Sequence, residues 1–299
     1  MQSLKETTSM KRRNGIVAIM AGLALAPLAI WAASPGRIEK TIDTTTDPEV
    51  NVTNMRGQIV VRGWEKSQVH ALCNTVSPRV EIDTETMPKT GKAERLQLTT
   101  HAVDPSVSGP EETADCTIQV PSAASVEIRN RQGAVQVEKL EGQHARVEST
   151  DGKITASDIA GHFVARTMAG DIEVIRPAGR VEVFSITGNL SFMDPASKSL
   201  RGNTNSGRIV YQGDFMPAGD YILSTYSGDI EVALPASASF DLTAKTVKGK
   251  VDNTFALTPK RHAVSPFPSA NSLLGTHSTG DARVELTSFN GRIRVRQQP

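Results

Sequence analysis

The feature that most constrains this chain is a phrase it writes twice. "TMAGDIEV" fills residues 167–174 and "TYSGDIEV" fills 225–232, 58 residues apart. Aligned on the glycine of that phrase, nine positions come into register: Gly57, Gly133, Gly152, Gly170, Gly188, Gly207, Gly228, Gly249 and Gly291. From Gly133 onward the steps are 19, 18, 18, 19, 21, 21 and 42, the last being twice 21. The flanking columns agree. Two residues after each glycine stand Ile59, Val135, Ile154, Ile172, Leu190, Ile209, Ile230, Val251 and Ile293, all aliphatic. Three before stand Asn54, Asn130, Ser149, Thr167, Ser185, Thr204, Thr225, Thr246 and Ser288, all small and polar. Seven before, from Val50 to Val284, every residue is apolar.

Each unit therefore reads as an alternating strand, a polar corner, a glycine that permits φ > 0, and a second alternating strand. Alternation puts Ile230 and Val232 inward and Asp229 and Glu231 outward. One unit cannot bury its own apolar face, but a stack of units can, and a period near 20 residues lies in the solenoid range. An ordinary β-sandwich would repeat at about 8–12 residues with varied turns. The expected fold is all-β: a parallel β-solenoid with 18–21 residues per rung. The glycines from 133 to 291 imply eight or nine rungs, on the order of 40 Å of stack.

Two stretches break the period. Residues between Gly57 and Gly133 contain "QVHALC", "RVEID", "RLQLTT" and "CTIQVP", which read as an antiparallel meander capping one end. Residues 253–280, rich in Pro, Ser and Gly, read as a long loop inserted in the repeats. The domains so drawn are 1–33, 34–120 and 121–299. The first carries "KRRNG" and then "IVAIMAGLALAPLAIWAAS", a basic region, an apolar run and small residues, the pattern of a signal peptide or an N-terminal anchor. Either makes the remainder an exported chain, in the periplasm or on the cell surface, touching a membrane only if that segment is retained.

Without those 33 residues the chain holds 29 basic and 31 acidic side chains, so no basic footprint for nucleic acid exists. The two cysteines, Cys73 and Cys116, are expected to form one disulfide in an oxidising compartment.

The succession "VNVTNMRGQIVVRGWEKSQV", "CTIQVPSAASVEIRNRQGAVQVEKLEGQ", "TMAGDIEV", "TYSGDIEVALP" and "STGDARVELTSFNGRIRVR" resembles the bacterial adhesin-like domain family of unknown function. The likeness covers nearly all of residues 38–297. It implies a β-solenoid of the cell envelope and brings no catalytic residues.

Parallel β-helices also host polysaccharide-cleaving enzymes, so acidic pairs were weighed. Asp171 with Glu173, and Asp229 with Glu231, each lie two apart on one face, roughly 6–7 Å between carboxylates, near an inverting glycosidase's spacing. The column following the glycines reads Lys153, Asp171, Asn189, Arg208, Asp229, Lys250, and a solvated charge ladder explains it more simply. A groove lined by Asp171, Glu173 and Arg208 would favour an enzyme. The histidines at 70, 101, 144, 162, 262 and 277 show no ligand spacing, and no cofactor or nucleophile motif is present. Trp64 reads as a cap residue; Phe192, Tyr211 and Tyr221 fall on inward columns. The expected function is a non-enzymatic envelope module of adhesin-like or structural type. Its partner would be a protein, a glycan or a second copy, with a polysaccharide lyase or hydrolase as the alternative.

Overall fold

In the computed structural model the described residues are 36–104, 106, 108–259 and 271–298. The segment 1–33 and His262 lie outside them. Alternating sequence becomes strand throughout, with one 3-10 turn at Gly109–Glu112. Strand β1 (Gly36–Arg56) runs to the Gly57 corner and β2 (Ile59–Trp64) leaves it. After β3 (Gln68–Thr75) and β4 (Val80–Met87), β5 (Ala93–Ala102) and β6 (Ala114–Pro121) form another rung. The next six rungs, with corners from Gly133 to Gly228, run from β7 (Ser125–Gln132) to β16 (Asp220–Ser227) and β17 (Ile230–Leu234). Then come β18 (Phe240–Thr246), β19 (Val251–Asn253), the short β20 (Thr258–Pro259), β21 (Ser272–His277), and a final rung of β22 (Ala282–Ser288) and β23 (Ile293–Gln297).

Strands that precede the corner pair with one another in a pre-corner sheet, and those that follow it pair in a post-corner sheet. The core lies between the two. Ile172, Leu190, Ile209 and Ile230 are consecutive register partners, each at most 1% exposed. Phe163, Val181, Leu200 and Tyr221 form the facing row. Phe192, Tyr211 and Tyr221 are fully buried. The 21-residue step after Gly207 accommodates the loop at 213–219, which turns Phe215 inward against Tyr211 and Tyr221. Burial pushes the Tyr211 phenol far above its ordinary pKa, and its hydroxyl donates to the Asp214 carbonyl at 2.8 Å.

Spatial order departs from chain order at both ends. The rung of β22 and β23 is inserted between the Gly228 rung and that of β18 and β19. The final 42-residue step is therefore not a skipped rung of the same progression, as its arithmetic suggested. Within it, β21 pairs antiparallel with β18 and β20 with β21, while Phe255 is buried against Phe240. At the other end β5 and β6 lie outside β1 and β2, which sit between them and the Gly133 rung. The stretch read as a meander thus holds antiparallel β3 and β4, plus a complete parallel rung. Ten parallel rungs span about 43 Å at 4.8 Å each.

The sequence reading assigned the corner glycines to positive φ. Gly57 and Gly133 have it, at 119° and 121°, but Gly188, Gly207, Gly249 and Gly291 do not. What all nine share is proximity: a Cβ there would lie 1.7–2.2 Å from the backbone oxygen of the neighbouring corner. The outermost rung among the described residues, flanked by antiparallel β3, carries Ala114 instead.

Cys73 and Cys116 are register partners on β3 and β6 and are joined in a disulfide with Cα atoms 4.1 Å apart. This staples the antiparallel cap to the outermost rung.

Two stability measurements test this account by urea unfolding. Gly188→Ala should cost about 3 kcal/mol, because backbone must move to admit the methyl group. Reduction of the disulfide, which closes a 43-residue separation, should cost about 4 kcal/mol in the chain-entropy treatment. A loss below ~1 kcal/mol in either case would contradict it.

Candidate binding face

Glycine corners expose carbonyls that need donors. The small polar column supplies them. Ser185 donates to the Gly170 carbonyl (3.2 Å), Thr204 to Gly188 (2.9 Å), Thr225 to Gly207 (3.1 Å), Ser288 to Gly228 (3.0 Å) and Thr246 to Gly291 (2.9 Å). Asn54 and Asn130 reach back through their amides to Ala114 and Gly57. These bonds follow spatial rung order, not chain order. Ser149 alone in that column has a buried hydroxyl without a partner.

The acidic pairs face outward from the post-corner sheet, and each carboxylate is engaged. Asp171 Oδ1 accepts the Asn189 backbone N–H at 2.7 Å, and Asn189 Oδ1 accepts that of Arg208 at 2.9 Å. Asp229 does the same for Arg292 at 2.8 Å. Glu173 pairs with Lys153 at 2.6 Å. Glu231 is not the solvated residue that alternation suggested. Arg208 and Arg296 cover it, leaving its side chain 8% exposed. Arg208 thus serves Glu231, not Asp171 and Glu173, and the three do not form the catalytic grouping considered above.

On the pre-corner sheet the outward face far from the corner is also charged. Glu127, Arg129, Arg146 and Glu148 form a cross-strand cluster. The Arg146 hydrogen bond holds the Glu148 carboxyl below its ordinary pKa against the opposing effect of burial. His144 and His162 are register partners with ring centroids 5.9 Å apart, and Glu182 lies 3.5 Å from His162. Their separation of 18 residues is one rung, the signal by which sequence could have paired them. Among the described residues no group of three or more His, Cys, Asp or Glu is arranged to hold a metal. Trp64 closes β2, its indole N–H donating to the Gln68 carbonyl at 2.7 Å and Lys66 lying over its ring.

Nearer the corner the same face changes character. The column two residues before the corner reads, in rung order, Met55, Arg131, Thr150, Met168, Ile186, Asn205, Tyr226, Phe289 and Val247. Phe184 stands beside Ile186 in the next outward column. Met168, Tyr226 and Val247 are each more than half exposed, and Phe184 is 40% exposed. Tyr226 and Phe289 stack at 4.8 Å with ring planes 7° apart, and Lys248 lies over Phe289. Among the described residues this stripe gathers most of the large apolar side chains that stand in solvent. The sequence reading placed Trp64 as a cap residue and Phe192, Tyr211 and Tyr221 in the core, and did not follow this column.

The model of the Toastrack DUF4097 family matches residues 48–296. The chain belongs to that family. Toastrack architecture is β-solenoid-like, as the stacked rungs are. No curated protein matches the sequence. Solved structures with related chains include one provisionally named a cell adhesion protein, from Clostridium sporogenes. It is 12% identical, spans 88% of this chain and 100% of its own, and has a TM-score of 0.27. Another, provisionally named an adhesin and from Bacteroides fragilis, is 10% identical, spans 88% and 97%, and scores 0.45. A third, likewise named and from Parabacteroides merdae, is 9% identical, spans 89% and 96%, and scores 0.32. At these values they assign no residue of this Toastrack chain a role.

The corner bonding makes a test. Asp171→Asn keeps an acceptor for the Asn189 N–H and should leave stability within about 0.5 kcal/mol of the parent. Asp171→Ala removes it and should cost about 1 kcal/mol. Equal effects in urea unfolding would show that the carboxylate has no such structural part.

Proposed function

We propose that this Toastrack chain is an exported, non-enzymatic, adhesin-like module of the bacterial envelope, docking a partner along the apolar stripe of its pre-corner sheet. The observation that carries this reading is the stripe itself. Met168, Phe184, Ile186, Tyr226 and Val247 stand in solvent on one face, with the half-buried Phe289 among them, and exposed apolar area of this kind marks interaction sites. Every outward carboxylate once considered for catalysis is already bound to a neighbour, which supports a structural role for the acidic pairs.

Export is supported by the basic and apolar pattern of residues 1–33 and by the pairing of both cysteines. Among the described residues no helix is long and apolar enough to cross a membrane. The names given to the solved structures, adhesin and cell adhesion protein, agree with a surface location, in the periplasm or outside the cell.

The test is capture of envelope components by immobilised protein. The double variant Phe184→Asp, Ile186→Asp should lower capture at least tenfold, about 1.4 kcal/mol or more, while its melting temperature stays close to the parent's. Unchanged capture would remove the stripe from the function. A parallel assay for reducing sugars released from envelope polysaccharide should read zero. Turnover abolished by Asp171→Asn would overturn the non-enzymatic reading.

A further inference from the structure

The apolar stripe has one gap, and the gap is a built slot. Asn205 takes the place between Ile186 and Tyr226, and Asn203 and Ser224 lie beside it. All three are smaller than the residues on either side. Phe184 and Ile186 form one wall and Tyr226 stands opposite, within a longer open notch of about 550 Å³ that continues past Tyr226 to Phe289 and Val247. The walls stand two strand spacings apart, about 9.6 Å between backbones, which leaves room for a single ring.

The Tyr226 ring is presented to that slot. Tyr226 and Phe289 lie face to face, so each covers one face of the other. Lys248 covers the remaining face of Phe289. The uncovered aromatic face of the stack is therefore that of Tyr226, on the side of Asn205. The floor is polar and available. Asn203 donates to Ser224 Oγ at 2.6 Å, which leaves its carbonyl oxygen free to accept. The Asn205 amide and the Tyr226 hydroxyl are exposed groups with no side-chain hydrogen bond among the described residues.

Charge decides among ligand classes. None of the residues lining this notch is ionisable at neutral pH, although 65 of the 299 residues are charged. The cavity around His144 and His162, and the notch by Lys250, Arg292 and Arg294, are by contrast charged. Lys248 and Arg201 lie outside the gap, the first on the far face of Phe289 and the second two residues before Asn203, so an anionic ring between Ile186 and Tyr226 would meet no lining counter-ion. A ligand that matches must be neutral, ring-shaped, apolar on one face and hydroxylated at its edge.

We propose that this slot is a subsite for one neutral pyranose ring, with its C–H face on Tyr226 and its hydroxyls on Asn205 and Asn203. Small aromatic-walled sites with a few placed polar groups bind in this way. The proposal rests on the docking role of the stripe and names the chemistry of the partner at one point along it.

The experiment is a titration of the full-length 15N-labelled protein with methyl glycosides of glucose, galactose, mannose and N-acetylglucosamine. The side-chain amides of Asn203 and Asn205 are followed by NMR, and methyl glucuronide serves as an anionic control. At least one neutral glycoside should shift both amides, with a dissociation constant on the order of 1 mM for so small a ligand. Tyr226→Phe should retain binding, Tyr226→Ala should weaken it about tenfold, and Asn205→Ala should weaken it while circular dichroism is unchanged. Equal binding of the glucuronide would overturn the argument from charge. No shift with any glycoside, or undiminished binding by Tyr226→Ala, would overturn the subsite. If glycosides fail while Phe184→Asp, Ile186→Asp still abolishes capture of an envelope protein, the subsite is wrong and the docking face stands. If that variant also captures normally, both are wrong.

Discussion

Everything in this molecule depends on how closely successive corners approach. Wherever one glycine lies over another, a single methyl group would meet a carbonyl oxygen at about 2 Å. That approach creates a second demand, since the carbonyl beneath is shut away from water and must be given a donor. At seven of the nine corners the hydroxyl or amide three residues earlier answers it, reaching from the next rung, whereas Ser149 has no partner and Thr167 donates to Ala169. Close approach and satisfied polarity are thus one device. It fixes the register of both sheets at once, because a slip of one residue would leave a carbonyl unpaired and bring a side chain into the corner.

Much of the fold was legible because this device writes in columns. The glycine, the small polar residue and the aliphatic pair recur, and Ile172 to Ile230 form the interior row that they imply. Rung order was not legible. Gly249 and Gly291 satisfy the same local rules wherever in the stack they stand, so nothing in their neighbourhoods reveals that the later one lies inside the earlier. The reach of β5 and β6 around the first rung was hidden in the same way. Glu231 was misread because alternation assigns a direction and says nothing of what covers it. Two arginines, one of them 65 residues away in sequence, do so. A second glycine ladder at Gly142, Gly161 and Gly179 also went unnoticed, since it runs for only a few rungs.

The binding face was less legible than the core for a related reason. Core columns are uniform, and uniformity is what alignment detects. The outward column before the corner mixes Met, Arg, Thr, Ile, Asn, Tyr, Phe and Val, and its meaning appears only when those letters are set in spatial order. Then the apolar residues draw together, with Asn205 as the one interruption beyond Met168. The solenoid separates two tasks: inward columns are held by packing and corners by hydrogen bonds, while the outward columns carry neither constraint.

The interleaving of the last rung has a mechanical consequence. Strand β23 is held by β17 along its whole length and by β19 over residues 293–295. A load applied at Gln297 along the strand cannot peel bonds one at a time from a free edge. It must shear the ladder to β17, and over residues 293–295 the ladder to β19 with it. Had the chain simply added its final coil at the end of the stack, the same pull would unwind it like thread from a spool.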